Sequence, residues 1–301
     1  MSHNHNHALG NYNRAFAIGV TLNIIFVIIE VTYGILAGSL ALIADAWHNL
    51  SDVLSLLLAW GASYLASKPA TEERTYGYRK VTVIASLTSA ILLQVALGAI
   101  TWEAIGRFFN PEPVEGLIII LVAAVGVVIN TLTALLFVSG QKHDLNIRGA
   151  FLHMAADAGV SLGVVIAGVI IVFKGWLWID PVISLIIVAV ILVGTWGLLR
   201  DSMNLAIDAV PKSIDMPKIK EYLTGLKNVS QIHDLHVWPL STTEYALTVH
   251  LVVTEESLNN DFLWQCQKHL HDYFGIEHST IQVEKLDDSI ACMLDSEKCH
   301  P

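Results

Sequence analysis

The sequence predicts an α-helical membrane protein with six transmembrane helices and a small carboxy-terminal α+β domain. Three observations carry that prediction. Of 301 residues, 54% are apolar and 15% charged, with a mean hydropathy of +0.57, whereas soluble domains carry about 25% charged residues. Six stretches, 15–37, 40–66, 82–108, 116–139, 148–173 and 180–199, reach the roughly 20 mostly apolar residues that a spanning helix requires. Beyond Arg200 the composition changes, and 211–301 holds most of the charge.

The composition also excludes. A chain this apolar cannot stay solvated, so disorder is ruled out. A formal charge of −10, from 27 acidic and 17 basic residues, leaves no basic surface for nucleic acid. The three cysteines, Cys266, Cys292 and Cys299, are too few for a disulfide framework and suit a reducing compartment.

The domains follow as a polar segment 1–13 containing His3, His5 and His7, a membrane domain 14–204, and a cytoplasmic domain 205–301 with a cysteine-containing tail. The first apolar stretch is too long for the core of a cleavable signal and reads as a retained anchor. Arg14 precedes it, Lys68, Arg74, Arg79 and Lys80 crowd the second loop, Lys142 and Arg148 mark the fourth, and Arg200 follows the sixth stretch. Loops of opposite parity hold only Arg107 and Lys174. The positive-inside rule then puts both termini in the cytoplasm. Asp180-Pro181 is expected to cap the sixth helix, with proline in its first turn.

In the terminal domain, Ser213 or Asp215 can cap a helix with Pro217 in its first turn and Ile219, Tyr222, Leu223 and Leu226 at helical spacing. Alternating stretches at 230–239 and 244–254 flank a polar turn at 240–243. An amphipathic helix over 256–274 and a third strand over 279–285 complete the order. That order fits helices on one face of a mixed sheet.

The functional signal is a repeated signature. His48-Asn49-Leu50-Ser51-Asp52 lies in the second stretch and His153-Met154-Ala155-Ala156-Asp157 in the fifth, and both read His-x-x-x-Asp. A spacing of four sets the two side chains about 40° apart and about 6 Å along a helix, on one face. Ionisable residues inside a bilayer cost about 2.5–3.5 kcal/mol each on insertion scales and mark ion pathways. Two such faces together offer two imidazoles and two carboxylates, a mixed set suited to tetrahedral Zn²⁺. Asp45 shares the stripe of His48 and Asp52; it is a candidate accessory ligand or a residue facing water at the helix end. Asn23, Glu30, Gln94 and Asn130 can line the pathway or bond between helices. An intramembrane metalloenzyme would want a His-Glu-x-x-His motif, which the sequence lacks.

With the six-helix plan, the paired motifs and the stretch Ile232-His233-Asp234-Leu235-His236-Val237-Trp238, the chain resembles the cation diffusion facilitator family over nearly its whole length. The resemblance implies a homodimeric antiporter, not an enzyme, that moves Zn²⁺ or a similar divalent cation out of the cytoplasm in exchange for protons. It also implies a metallochaperone-like, ferredoxin-like terminal domain. His48, where some relatives carry Asp, favours zinc, with Cd²⁺, Co²⁺ or Fe²⁺ as alternative cargo. A non-transporting membrane metal sensor is the alternative of another class. Lys80 and Asp208 match positions that form a charge interlock near the dimer interface of relatives. The compact loops suit a bacterial cytoplasmic membrane.

Protons compete with metal for imidazole and carboxylate, so His48 and His153 are the expected exchange groups. In the terminal domain, a hairpin pairing Pro239 with Glu244 sets His233 opposite His250, within reach of one ion, and Glu284 is the expected third ligand. His278 lies six residues earlier, about 20 Å along a strand and too far to share that ion. Cys266 reads as core. Cys292, Cys299 and His300 form a second candidate set, although their spacing exceeds the usual close ligand spacing.

Overall fold

The computed structural model describes residues 9–138, 145–254 and 260–285. Six long helices come first: α1 (Leu9–Ala37), α2 (Leu40–Ala66), α3 (Val81–Phe109), α4 (Gly116–Phe137), α5 (Leu145–Lys174) and α6 (Ile179–Ala206). Then follow α7 (Met216–Thr224), β1 (Val229–Pro239), β2 (Tyr245–Val253), α8 (Asn260–Phe274) and β3 (Ile276–Lys285). The helices track the apolar stretches, and α6 runs on past 199 because Asp201, Ser202 and Asn204 continue the turn beyond the apolar run. Within the described residues four spans, Val81–Phe109, Gly116–Leu136, Phe151–Lys174 and Ile179–Ala206, are long and apolar enough to cross a membrane. Asp45, His48, Asn49 and Asp52 dilute the hydropathy of α2.

The chain falls into two compact units, within Met1–Leu58 and Thr88–Gly197, and within Ala59–Leu87 and Leu198–Pro301. The first has the polarity of a membrane protein. Trp102, Phe173 and Val193 are each about four-fifths exposed, while Glu30, Asp45 and Asp157 are buried. Without a hydrophobic drive between helices in lipid, close approach depends on small residues. At the α4–α5 contact, a Cβ on Gly168 would lie 3.1 Å from Ile119 Cγ2, and one on Gly126 would lie 3.0 Å from Ser161 Oγ.

Asp180 corrects an expectation. Rather than capping its own helix α6, its carboxylate accepts from Ser39 Oγ at 2.5 Å, Leu40 N at 2.8 Å and Ala41 N at 3.3 Å. It therefore satisfies amides at the start of α2, where a helix leaves four N–H groups unpaired. Arg107 stands 3.9 Å from the same carboxylate and also donates to Gly38 O, at the left-handed turn (φ 64) between α1 and α2.

In the second unit β1, β2 and β3 lie in that order, the first pair antiparallel and the second parallel. The parallel pairing requires the crossover that α8 supplies. Ile219 and Leu223 of α7 and Cys266 and Leu270 of α8 pack with Val237, Leu247, Val249, Leu251 and Ile276 into one core, as alternation on the strands predicts. Asp215 caps α7, accepting from Lys218 N at 3.2 Å. Burial pushes the Cys266 thiol up to about 11, consistent with a core residue.

Candidate metal centres

In the first unit, His48 and Asp52 share one face of α2, and His153 and Asp157 share one face of α5. The structure brings these faces together. His48 Nε2 lies 3.4 Å from Asp157 Oδ1 and 3.8 Å from Asp52 Oδ2. His153 Nε2 lies 3.0 Å from Asp52 Oδ2 and 3.7 Å from Asp157 Oδ2. One ligand atom from each of the four residues lies within 4.8 Å of all the others. Bonds of about 2.0–2.1 Å in a tetrahedron set ligand atoms about 3.3 Å apart, so the cluster matches a single small cation with little rearrangement. The imidazoles meet edge to face at 82°, with centroids 5.7 Å apart.

Asp45 lies outside this group. Its Oδ2 accepts from Ser161 at 3.0 Å. Glu30 is fully buried and accepts from Asn49 Nδ2 at 3.1 Å. Gln94 bonds Thr195 at 3.1 Å, between α3 and α6.

The second cluster joins all three strands of the sheet. His250 Nδ1 lies 2.9 Å from Glu284 Oε1 and 3.3 Å from His233 Nε2, and His233 Nε2 lies 3.4 Å from Glu284 Oε2. The expected hairpin register is one residue off near the turn, where Pro239 pairs with Tyr245 rather than Glu244. A bulge between His233 and His236, with Asp234 at φ 50, absorbs the difference and restores the His233–His250 pair. Sequence reasoning missed Asp234 as a site residue. Its Oδ2 lies 3.7 Å from Nε2 of His250, the nitrogen turned away from the cluster, and its Oδ1 lies 2.9 Å from His236 Nε2. A carboxylate behind a ligating imidazole fixes its tautomer and orientation. Alternation of residue types gave no signal for it, because a bulge breaks alternation.

Lys80 does meet Asp208, which adopts φ 61, and donates also to Leu205 O at 3.2 Å and Pro239 O at 3.0 Å. His278 meets Tyr76 edge to face, with ring centroids 5.4 Å apart, away from the cluster. His3, His5, His7, Cys292, Cys299 and His300 lie outside the described residues.

Apolar helices on the outside, a mixed nitrogen–oxygen donor set between two of them, and a separate mixed-sheet domain define a membrane protein that handles cations. Known families agree: the cation efflux transmembrane domain matches residues 16–205, and the cation efflux protein cytoplasmic domain matches 211–286. The chain belongs to the cation efflux, or cation diffusion facilitator, family. It is 37% identical to the zinc transporter ZitB of Escherichia coli, over 94% of this chain and 93% of that protein. It is 36% identical to the cation efflux system protein CzcD of Alcaligenes sp., over 94% and 89%. It is 35% identical to the cadmium, cobalt and zinc/H(+)-K(+) antiporter of Bacillus subtilis, over 99% and 98%. A solved metal-bound C-terminal domain of CzcD from Cuprividus metallidurans is 33% identical, covers 24% of this chain and 99% of its own, and superposes with a TM-score of 0.22. The protein is a membrane transporter of divalent metal cations rather than an enzyme.

Proposed function

We propose that the protein exports Zn²⁺ from the cytoplasm in exchange for protons, through one intramembrane site formed by His48, Asp52, His153 and Asp157. The observation that carries the reading is the mutual approach of these four ligand atoms, from α2 and α5, to within 4.8 Å. Two imidazoles and two carboxylates suit zinc, and Co²⁺, Cd²⁺ and Fe²⁺ are the competing cargoes. Metal requires neutral imidazole and ionised carboxylate, so protons arriving at the site expel the ion. The working protein is a homodimer in a bacterial cytoplasmic membrane, each protomer crossing six times with both termini cytoplasmic. Lys80 and Asp208 form the charge interlock near the dimer contact. The terminal domain has a ferredoxin-like fold and takes a regulatory zinc on His233, His250 and Glu284, with Asp234 orienting His250.

The test is zinc uptake into everted membrane vesicles. Imposing a proton gradient drives uptake, collapsing it stops uptake, and His153→Ala or Asp157→Ala abolishes it. Gradient-independent uptake would refute proton exchange. Because Bacillus relatives are named for potassium as well as protons, a potassium gradient serves as the parallel arm. A non-transporting sensor would show no flux in any arm.

A further inference from the structure

Asn130 of α4 is fully buried, yet neither its amide nitrogen nor its amide oxygen has a hydrogen-bond partner. An amide in that position is costly unless something in the working cycle satisfies it. The packing of α4 on α5 locates it. On α4 the residues Gly116, Ile119, Ala123, Gly126, Asn130 and Thr133 recur at three- and four-residue steps along one stripe. On α5 the buried stripe is Met154, Asp157, Ser161, Val164, Gly168 and Ile171. The helices run antiparallel with fixed pairing. A Cβ on Gly116 would meet Ile171 at 3.2 Å, one on Gly168 would meet Ile119 at 3.1 Å, and one on Gly126 would meet Ser161 at 3.0 Å. The next step along both stripes puts Asn130 opposite Asp157.

Asp157 has a matching deficiency. Its Oδ1 is turned toward His48 at 3.4 Å, while its buried Oδ2 has no hydrogen-bond donor. We propose that Asn130 is a positioning residue of the transport site: its amide N–H donates to the carboxylate oxygen of Asp157 that the bound cation leaves over. The inference rests on the reading of His48, Asp52, His153 and Asp157 as that site. Those four residues already complete a tetrahedron, so a fifth ligand is not required. Ligating carboxylates are themselves held by hydrogen bonds, and loss of such partners costs about 10- to 100-fold in metal affinity. A neutral amide also adds no charge to a site that must release its ion.

The experiment is a Co²⁺ titration of the full-length protein in a His250→Ala background, reading the visible absorption of bound cobalt. The relevant band is the one that Asp157→Ala removes. Asn130→Leu is expected to weaken cobalt binding at that band by about 10- to 100-fold and to alter its shape. Asn130→Ser, which retains a small donor and admits water, is expected to recover part of the affinity. Wild-type affinity and an unchanged band in Asn130→Leu would overturn the inference, as would equal loss in the leucine and serine variants, which marks a packing role. Should Asn130→Leu fail to fold, wild-type affinity and an unchanged band in Asn130→Ala, which removes the donor without adding bulk, overturn it equally. A wild-type protein with no Asp157-dependent band refutes the transport-site reading itself.

Discussion

Asp180 is the residue whose role is most sharply set by its partners. It is buried, receives three hydrogen bonds from the start of α2, and faces Arg107. Replacing it with alanine removes the acceptor of Leu40 N and Ala41 N and leaves Arg107 without that carboxylate. Asp180→Ala is expected to lower stability by about 1–3 kcal/mol, seen as a drop in melting temperature of the detergent-solubilised protein. Asp180→Asn, which still accepts, should lose less. Cys266 gives a second prediction, from its raised pKa. The thiolate is the reactive form, and a thiol held at about 11 is almost wholly protonated at pH 7–8. In a Cys292→Ser, Cys299→Ser variant, alkylation of Cys266 is expected only after unfolding, and labelling of the folded protein at pH 7.5 would contradict that. The cluster of His48, Asp52, His153 and Asp157 was legible at this scale because each pair is local, four residues apart on one helix. Asp180 was misassigned because its partners are about 140 positions away in sequence, and no local pattern connects them.

At the scale of elements, the bulge in β1 decides which residue of that strand faces His250. A one-residue slip turns every side chain of a strand to the opposite face. If Asp234 were paired in a regular ladder instead of bulged, the register that sets Pro239 opposite Tyr245 would put Asp234, not His233, opposite His250. Deleting Asp234 closes the ladder as His236–Thr248, Leu235–Val249 and His233–His250, so it is expected to preserve zinc binding by the terminal domain, weakened only by loss of the carboxylate behind His250. Asp234→Gly, which tolerates φ 50, should retain the histidine pair. Isothermal titration of both variants beside wild type, with circular dichroism as the folding control, checks this, and loss of zinc binding in the folded deletion variant would contradict the register. The alternation of residues in 230–239 and 244–254 made the strands legible. The bulge was not, and the expected His233–His250 pairing came out right through a compensation that periodicity does not encode.

At the scale of the whole molecule, chemistry fixes the sign of the pH response. As proposed, both clusters hold metal through imidazole and carboxylate, so each protonation would remove a ligand. Zinc affinity is expected to fall as pH drops, because protons compete with the ion for the same nitrogens and oxygens. Equilibrium binding at pH 7.5 and at 5.5 should differ by at least about tenfold, because each site contributes two imidazoles that must be deprotonated. An affinity equal at both pH values would mean that the histidines are not ligands. The apolar stretches, the helix count and the strand order were all legible in the sequence, because burial and hydrogen bonding act through short periods. Which long-range partners complete a cap, or stand behind a ligand, was not.

The glycine seam between α4 and α5 constrains how the cargo can be let go. Helices locked through Gly116, Gly126 and Gly168 leave no slack for sliding or parting, so α4 and α5 travel as a single girder that carries His153 and Asp157. The other two ligands ride on α2. On the proposed site, release of the ion calls for α2 to part from that girder, and a crosslink between those two parts is expected to trap the cation inside.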